Sequence, residues 1–211
     1  MSTEILEIIH RMLLALLVIL LGFLLFWKLW FLRDPKRIIP ITGIVSPADG
    51  KVNKIIRINK KTAEIEKGKW GKFEAITSDV SAKCKIISIV MSPLDVHIQR
   101  APIRGRIEKI RYYRGRFRNA MRKEIAIDNE RNEILIKGKE HNIKVIQIAG
   151  ALARRISCFV KEGQIVKKGQ RIGLINLGSQ VSVIIPDNIN LIIKEGDRTT
   201  AGETIIAQPA K

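Results

Sequence analysis

Cysteine is nearly missing from this chain of 211 residues, with only Cys84 and Cys158. Two cysteines so far apart make no disulfide framework, and their spacing matches no zinc site, so both are expected as core thiols. Aromatic side chains are equally scarce at 5%. That argues against a surface on which nucleic-acid bases stack, because such surfaces need aromatic platforms. Acidic residues are outnumbered, 20 against 38 Lys and Arg, and the net charge of +18 calls for an anionic partner. Only three histidines occur, at 10, 97 and 141. Long helical periodicity is absent after the first thirty or so residues.

One long apolar run is present. Met12 to Trp27 carries no polar side chain, and after Lys28 the run resumes as Leu29-Trp30-Phe31-Leu32. This is about the length that crosses a hydrocarbon core, with Trp27 and Trp30 suited to the headgroup belt and Lys28 able to snorkel. No small-residue cleavage site follows, so the reading is a retained anchor rather than a signal peptide. Arg33, Lys36 and Arg37 follow the span, whereas Glu4 and Glu7 accompany Arg11 before it. Positive charge on the C-terminal side places the body in the cytoplasm. With the body tethered there, a membrane surface outranks nucleic acid as the anionic partner. Asp34-Pro35 and Pro40 mark a linker, which divides the chain into an anchor with linker, 1–39, and a body, 40–211.

The body reads as strands. Ile and Val alternate with Lys, Arg, Thr or Gln over Lys51–Asn59, Lys83–Met91, Gly105–Tyr112, Glu133–Lys137, Asn142–Gln147 and Ser182–Pro186, with Gly and Pro between them. One helical turn is conceivable around Gly150–Arg155, and Arg104–Lys123 reads as a basic loop or hairpin that either meets a membrane or is simply solvated. Two internal echoes stand out. Pro47-Ala48-Asp49-Gly50-Lys51-Val52 matches Pro102-Ile103-Arg104-Gly105-Arg106-Ile107, and Lys161-Glu162-Gly163 with Gly169 matches Lys194-Glu195-Gly196 with Gly202. The second pair is similar to the hairpins of biotinyl- and lipoyl-type barrel-sandwich domains, although no carrier lysine motif lies between them. The expected fold is therefore mainly β, a barrel-sandwich-like domain behind one N-terminal transmembrane helix. The period is not sustained, so a solenoid is excluded.

The candidate chemistry centres on Arg171-Ile172-Gly173-Leu174-Ile175-Asn176-Leu177-Gly178-Ser179-Gln180. Glycine leaves its carbonyl open and tolerates strained torsions, and the hydroxyl of Ser179 could attack the Gly178 carbonyl just before it. The plain alternative is a tight turn with a solvated serine. His97, in Met91-Ser92-Pro93-Leu94-Asp95-Val96-His97, is the histidine placed for chemistry. Asp95 shares its strand face if the segment is extended. A structural role remains open, since imidazole alone selects no chemistry. Asp49, in Ser46-Pro47-Ala48-Asp49-Gly50, is either a turn residue or a carboxylate that orients His97 towards a serine.

Taken in order, Ser46–Gly50, Asp95-Val96-His97 with Ala101-Pro102, Asn129–Asn132, Ala153–Ile156 and Arg171–Ser179 resemble the phosphatidylserine decarboxylase family, above all its short archaeal and bacterial form, which includes archaetidylserine decarboxylases. The resemblance spans about residues 40–190. It implies a proenzyme that cuts itself between Gly178 and Ser179, with His97 as base and Asp49 polarising it. The resulting chains, 1–178 and 179–211, would remain together as a heterodimer, and Ser179 would become a pyruvoyl cofactor. A Schiff base between that pyruvoyl and an anionic serine phospholipid would permit loss of CO2, with His97 reprotonating the carbon and Asp95 assisting. No metal and no nucleic acid are expected, and the apolar span puts the protein at the cell membrane. Two positions depart from the pattern: Arg100 stands where longer relatives carry a second histidine, so that residue's role does not transfer, and position 180 is Gln. The competing readings are a membrane-anchored, non-enzymatic barrel-sandwich adaptor and, more distantly, a basic nucleic-acid-binding protein. Arg154 and Arg155 are the candidate phosphate contacts.

Overall fold

The computed structural model describes residues 3–67, 71–115, 130–150, 155–176 and 179–209. The chain forms two compact units, Met1–Pro35 and Lys36–Lys211. The first is a helix, α1 (Thr3–Leu25), that runs on into a π-helical turn over Phe26–Phe31. Thr3–Phe31 has a mean hydropathy of 2.6 and is long and apolar enough to cross a membrane. The helix begins well before the apolar run, taking in Glu7 and Arg11, which pair one turn apart at 2.6 Å. At its other end Trp27 stacks on Phe31, and the Arg33 guanidinium lies over the Trp30 ring.

The second unit is β throughout the described residues. Its strands are β1 (Ile44–Val45), β2 (Gly50–Ile58), β3 (Thr62–Lys67), β4 (Gly71–Ile76), β5 (Cys84–Met91), β6 (Ile98–Arg100), β7 (Gly105–Tyr113) and β8 (Arg131–Lys137). There follow β9 (Asn142–Ile148), β10 (Arg155–Cys158), β11 (Ile165–Val166), β12 (Arg171–Asn176), β13 (Ser179–Pro186), β14 (Ile189–Leu191), β15 (Arg198–Thr199) and β16 (Ile205–Pro209). An antiparallel eight-stranded sheet runs β11-β7-β8-β9-β13-β5-β2-β15. Two three-stranded sheets, β1-β16-β14 and β10-β12-β6, and the hairpin β3-β4 complete the unit. The large sheet curls into a half-barrel. All six strands expected from alternation are present, each extended or shifted by a few residues at most. Residues 151–154 of the expected turn at Gly150–Arg155 and residues 116–123 of the Arg104–Lys123 loop lie outside the described residues, and Arg155 opens β10.

Alternation located the strands but not their surroundings. On one face of the large sheet, Val52, Ile87, Ile89, Ile107, Ile134, Val145, Val181 and Val183 pack with Ile44, Ile172, Ile175 and Ile206 of the small sheets. On the other, Ile86, Leu135, Ile146 and Ile184 pack under Ala63, Ile65, Phe73 and Ala75 of the β3-β4 hairpin. Covered on both sides, the central strands bury the polar positions that alternation assigns to solvent. Lys144 is buried and meets Asp79 at 2.7 Å and the Ile76 carbonyl at 2.6 Å. Lys85 is buried and donates to the Ile189 carbonyl at 2.8 Å. Such groups stand only because they are paired.

The two sequence echoes are halves of one pseudo-symmetric arrangement. The Gly196 amide donates to the Val52 carbonyl as the Gly163 amide does to that of Ile107, both at 2.8 Å. Glu195 accepts from the Ile55 amide as Glu162 does from that of Ile110, both at 2.7 Å. The Gly202 amide donates to Ser46 as the Gly169 amide does to Ala101, again both at 2.8 Å. Both β2 and β7 carry a bulge at the corresponding place. The same alignment sets Arg104 opposite Asp49, so the two halves differ at the candidate carboxylate.

Candidate active site

The segment between β5 and β6 carries His97. After Met91 the chain turns, with the Asp95 amide donating to the Ser92 carbonyl and the Asp95 carboxylate accepting from the Ser92 amide at 2.7 Å. This is the Asx-type closure that Ser, Pro and Asp favour. The turn drops His97 into the interior, where it is fully buried. Its Nδ1 lies 2.8 Å from the Asp95 carbonyl oxygen. The Asp95 carboxylate is also 3.4 Å from the Arg198 guanidinium. Asp95 therefore shapes the His97 turn through its backbone, while its carboxylate serves Ser92 and Arg198.

The His97 carbonyl accepts from the Ile175 amide at 3.2 Å and from Gln99 Nε2 at 2.7 Å. Ile175 belongs to β12, which pairs with β6. On the far side of residues 177–178, Ser179 opens β13 directly opposite Met91. One stretch of chain, Met91 to Ile98, thus holds both flanks of the Gly178–Ser179 bond. Gly178 itself lies outside the described residues. Arg155, the described member of the candidate phosphate pair, is exposed and opposite Asn176; Arg154 lies outside the described residues.

Asp49 sits at the start of β2. Gly50 has φ +145°, and a Cβ there would lie 2.4 Å from the Val90 carbonyl oxygen, so only glycine lets the chain pass this close to β5 directly after Asp49. The carboxylate accepts from Arg37 Nη2 at 3.0 and 2.9 Å and from the Ala201 amide at 2.7 Å. Arg37 was not foreseen as part of the site; as one basic residue in a linker it carries no local signal. Arg100, in place of a second histidine, is buried and donates to the Gly169 carbonyl at 2.9 Å.

Three buried amides were also missed. Asn132 Nδ2 donates to Gln147 Oε1 at 2.9 Å, and Gln147 Nε2 donates to Gln99 Oε1 at 2.8 Å. Polar residues in a strand read as solvent-facing, and only the stacking of sheets shows that these point inward. An open cleft of about 450 Å³ lies beside the site, lined by Lys51, Asn53, Met91, Ser92, Asp95 and Arg198 among others.

A family model described as phosphatidylserine decarboxylase matches residues 24–207. The chain is 42% identical to a protein of Methanocaldococcus jannaschii named provisionally as an archaetidylserine decarboxylase proenzyme, over 87% of this chain and 90% of the relative. A protein of Methanothermobacter thermautotrophicus with the same name is 40% identical over 89% and 85%. A phosphatidylserine decarboxylase proenzyme of Azorhizobium caulinodans is 40% identical over 86% and 73%.

Proposed function

Because the chain belongs to the phosphatidylserine decarboxylase family, we propose that it is a membrane-bound proenzyme that cuts itself between Gly178 and Ser179 and then decarboxylates a serine phospholipid to the ethanolamine phospholipid. The observation that carries this reading is the single segment, Met91–Ile98, whose backbone grips both flanks of that bond and which bears the buried His97.

In self-cleavage, His97 removes the Ser179 hydroxyl proton and the oxygen attacks the Gly178 carbonyl carbon. The peptide C–N bond breaks as the nitrogen takes a proton, leaving an ester between residues 178 and 179. Loss of the Ser179 α-proton and departure of the Gly178 carboxylate then free the 1–178 chain. The dehydroalanine left behind adds water and releases ammonia, becoming a pyruvoyl group. When formed, that group supplies the electron sink for the carbanion left by departing CO2, the part that a bound cofactor plays elsewhere.

The chain's own residues do the rest. His97 is positioned to hold the proton that the product carbon requires. Asp49, held by Arg37 and the Ala201 amide, is the carboxylate assigned to polarise the His97 imidazole. Arg155 contacts the lipid phosphate next to the reacting end. α1 keeps the body at the lipid surface, with the catalytic unit on the cytoplasmic side.

The test is intact mass under denaturing conditions for wild type and Ser179→Ala. Wild type is expected as two chains splitting at Gly178/Ser179, the smaller starting with a pyruvoyl, and the variant as one. A single wild-type chain in well-folded protein sinks the self-cleaving reading.

A further inference from the structure

A line of three amides is buried between the inner face of the large sheet and β6. Asn132 of β8, Gln147 of β9 and Gln99 of β6 are essentially inaccessible to water. Each donates to the next, Asn132 to Gln147, Gln147 to Gln99, and Gln99 to the His97 carbonyl, at 2.9, 2.8 and 2.7 Å. The order is dictated from the His97 end. A carbonyl only accepts, so Gln99 must turn its nitrogen to it. Its oxygen then faces Gln147 and demands that residue's nitrogen, and Gln147 in turn demands that of Asn132. With the Ile175 amide, Gln99 fills both acceptor positions of the His97 carbonyl.

Apolar residues of similar shape would serve the core as well, since burying amides gains little net stability. What the line does specifically is hold one backbone oxygen, that of the residue bearing the imidazole, in register with β12, which leads into the Gly178–Ser179 bond. We propose that Gln99, Gln147 and Asn132 are positioning residues for His97, a polarised amide relay that sets the imidazole for proton transfer. The proposal rests on the self-cleavage reading for its main readout.

The experiment follows cleavage over time by intact mass, during cell-free synthesis of the full chain into phospholipid vesicles. The variants are Gln99→Glu and Gln147→Met. In Gln99→Glu the new carboxyl substitutes for the amide only while protonated, because an ionised one sets oxygen against the His97 carbonyl. Burial raises its pKa above the ordinary carboxylate range. Its cleavage is expected about tenfold or more below wild type at about pH 8, recovering towards wild type at about pH 6, the scale of one lost buried hydrogen bond. A purely structural fault gives no such selective recovery. Gln147→Met introduces no charge and is expected to slow cleavage by about three- to tenfold at every pH. Folded variants that cleave at the wild-type rate and pH dependence overturn the proposal.

Hydrogen exchange at the Ile175 amide supplies a readout independent of cleavage. Faster exchange in Gln147→Met than in wild type, with the rest of β12 unchanged, supports the relay. Equal exchange overturns it. A wild-type chain that never cleaves sinks the self-cleavage reading instead, and the relay then stands or falls on exchange alone.

Discussion

Arg37 turns Asp49 from a loop carboxylate into a fixed part of the candidate site. Both side chains are mostly buried, at 8% and 15% exposure, and the ion pair is reinforced by the Ala201 amide. Removing one partner of such a pair leaves a charge without compensation. Arg37→Leu is expected to destabilise the body by about 3 kcal/mol in a urea melt and to slow self-cleavage. Unchanged stability would show that Asp49 needs no counter-charge. The two cysteines give a second prediction at this scale. Cys84 is buried, and burial raises its thiol pKa above the ordinary 9.0; Cys158 is exposed, so the expectation of two core thiols holds for only one. Maleimide at mildly alkaline pH should label Cys158 at once and Cys84 only on unfolding, because the thiolate is the reacting form. The sign of the linkage follows: a raised folded pKa gives stability that is complete below the unfolded value and lost as pH rises from there through the folded one. Equal labelling of both thiols would refute the assignment.

Among the elements, β12 makes the closest demands. It lies between β10 and β6, and Gly173 passes over Gln147. A Cβ at Gly173 would sit 2.4 Å from Gln147 Nε2 and 2.7 Å from the Ser157 carbonyl oxygen. Gly173→Ala is therefore expected to cost roughly 1–3 kcal/mol as overpacking, lowering the melting temperature by several degrees. It should also delay cleavage, read by intact mass over time, since the displaced amide is the middle of the relay. An alanine variant with wild-type melting and wild-type cleavage would show that β12 and β9 have room to separate. The β3-β4 hairpin works differently. It caps the outer face, where Arg131 stacks over Tyr113 and Phe73, and Lys144 is enclosed with Asp79 and Glu133.

For the whole molecule, the position of β13 decides what becomes of a cut chain. It is central in the large sheet, paired with β5 from Ser179–Met91 to Pro186–Cys84 and with β9 from Gln180–Ile148 to Ile184–Lys144. β14, β15 and β16 then thread into both the small sheet and the sheet edge. A fragment starting at Ser179 would leave only by breaking all of these ladders. The two chains should therefore co-purify through native chromatography and separate only in denaturant. Release of the smaller chain under native conditions would overturn this expectation.

Local pattern in the sequence was enough for the long apolar helix, the six main strands and the ordered set of segments that names the family, because hydrophobic period and turn chemistry are properties of neighbouring residues. Ser179 and His97 stand out as candidates for the same reason, each marked by its own short motif. The echoes were visible too, but their meaning as two pseudo-symmetric halves emerges only when β15 pairs with β2 and β11 with β7. Arg37 beside Asp49, and Asn132, Gln147 and Gln99 in line behind His97, belong to the tertiary structure alone. Each joins residues distant in sequence, and a polar side chain on a strand does not say whether water or another sheet will cover it. Stacking a second layer on each face of the large sheet decides that, and it turns polar positions that read as solvent-facing into the interior of the site.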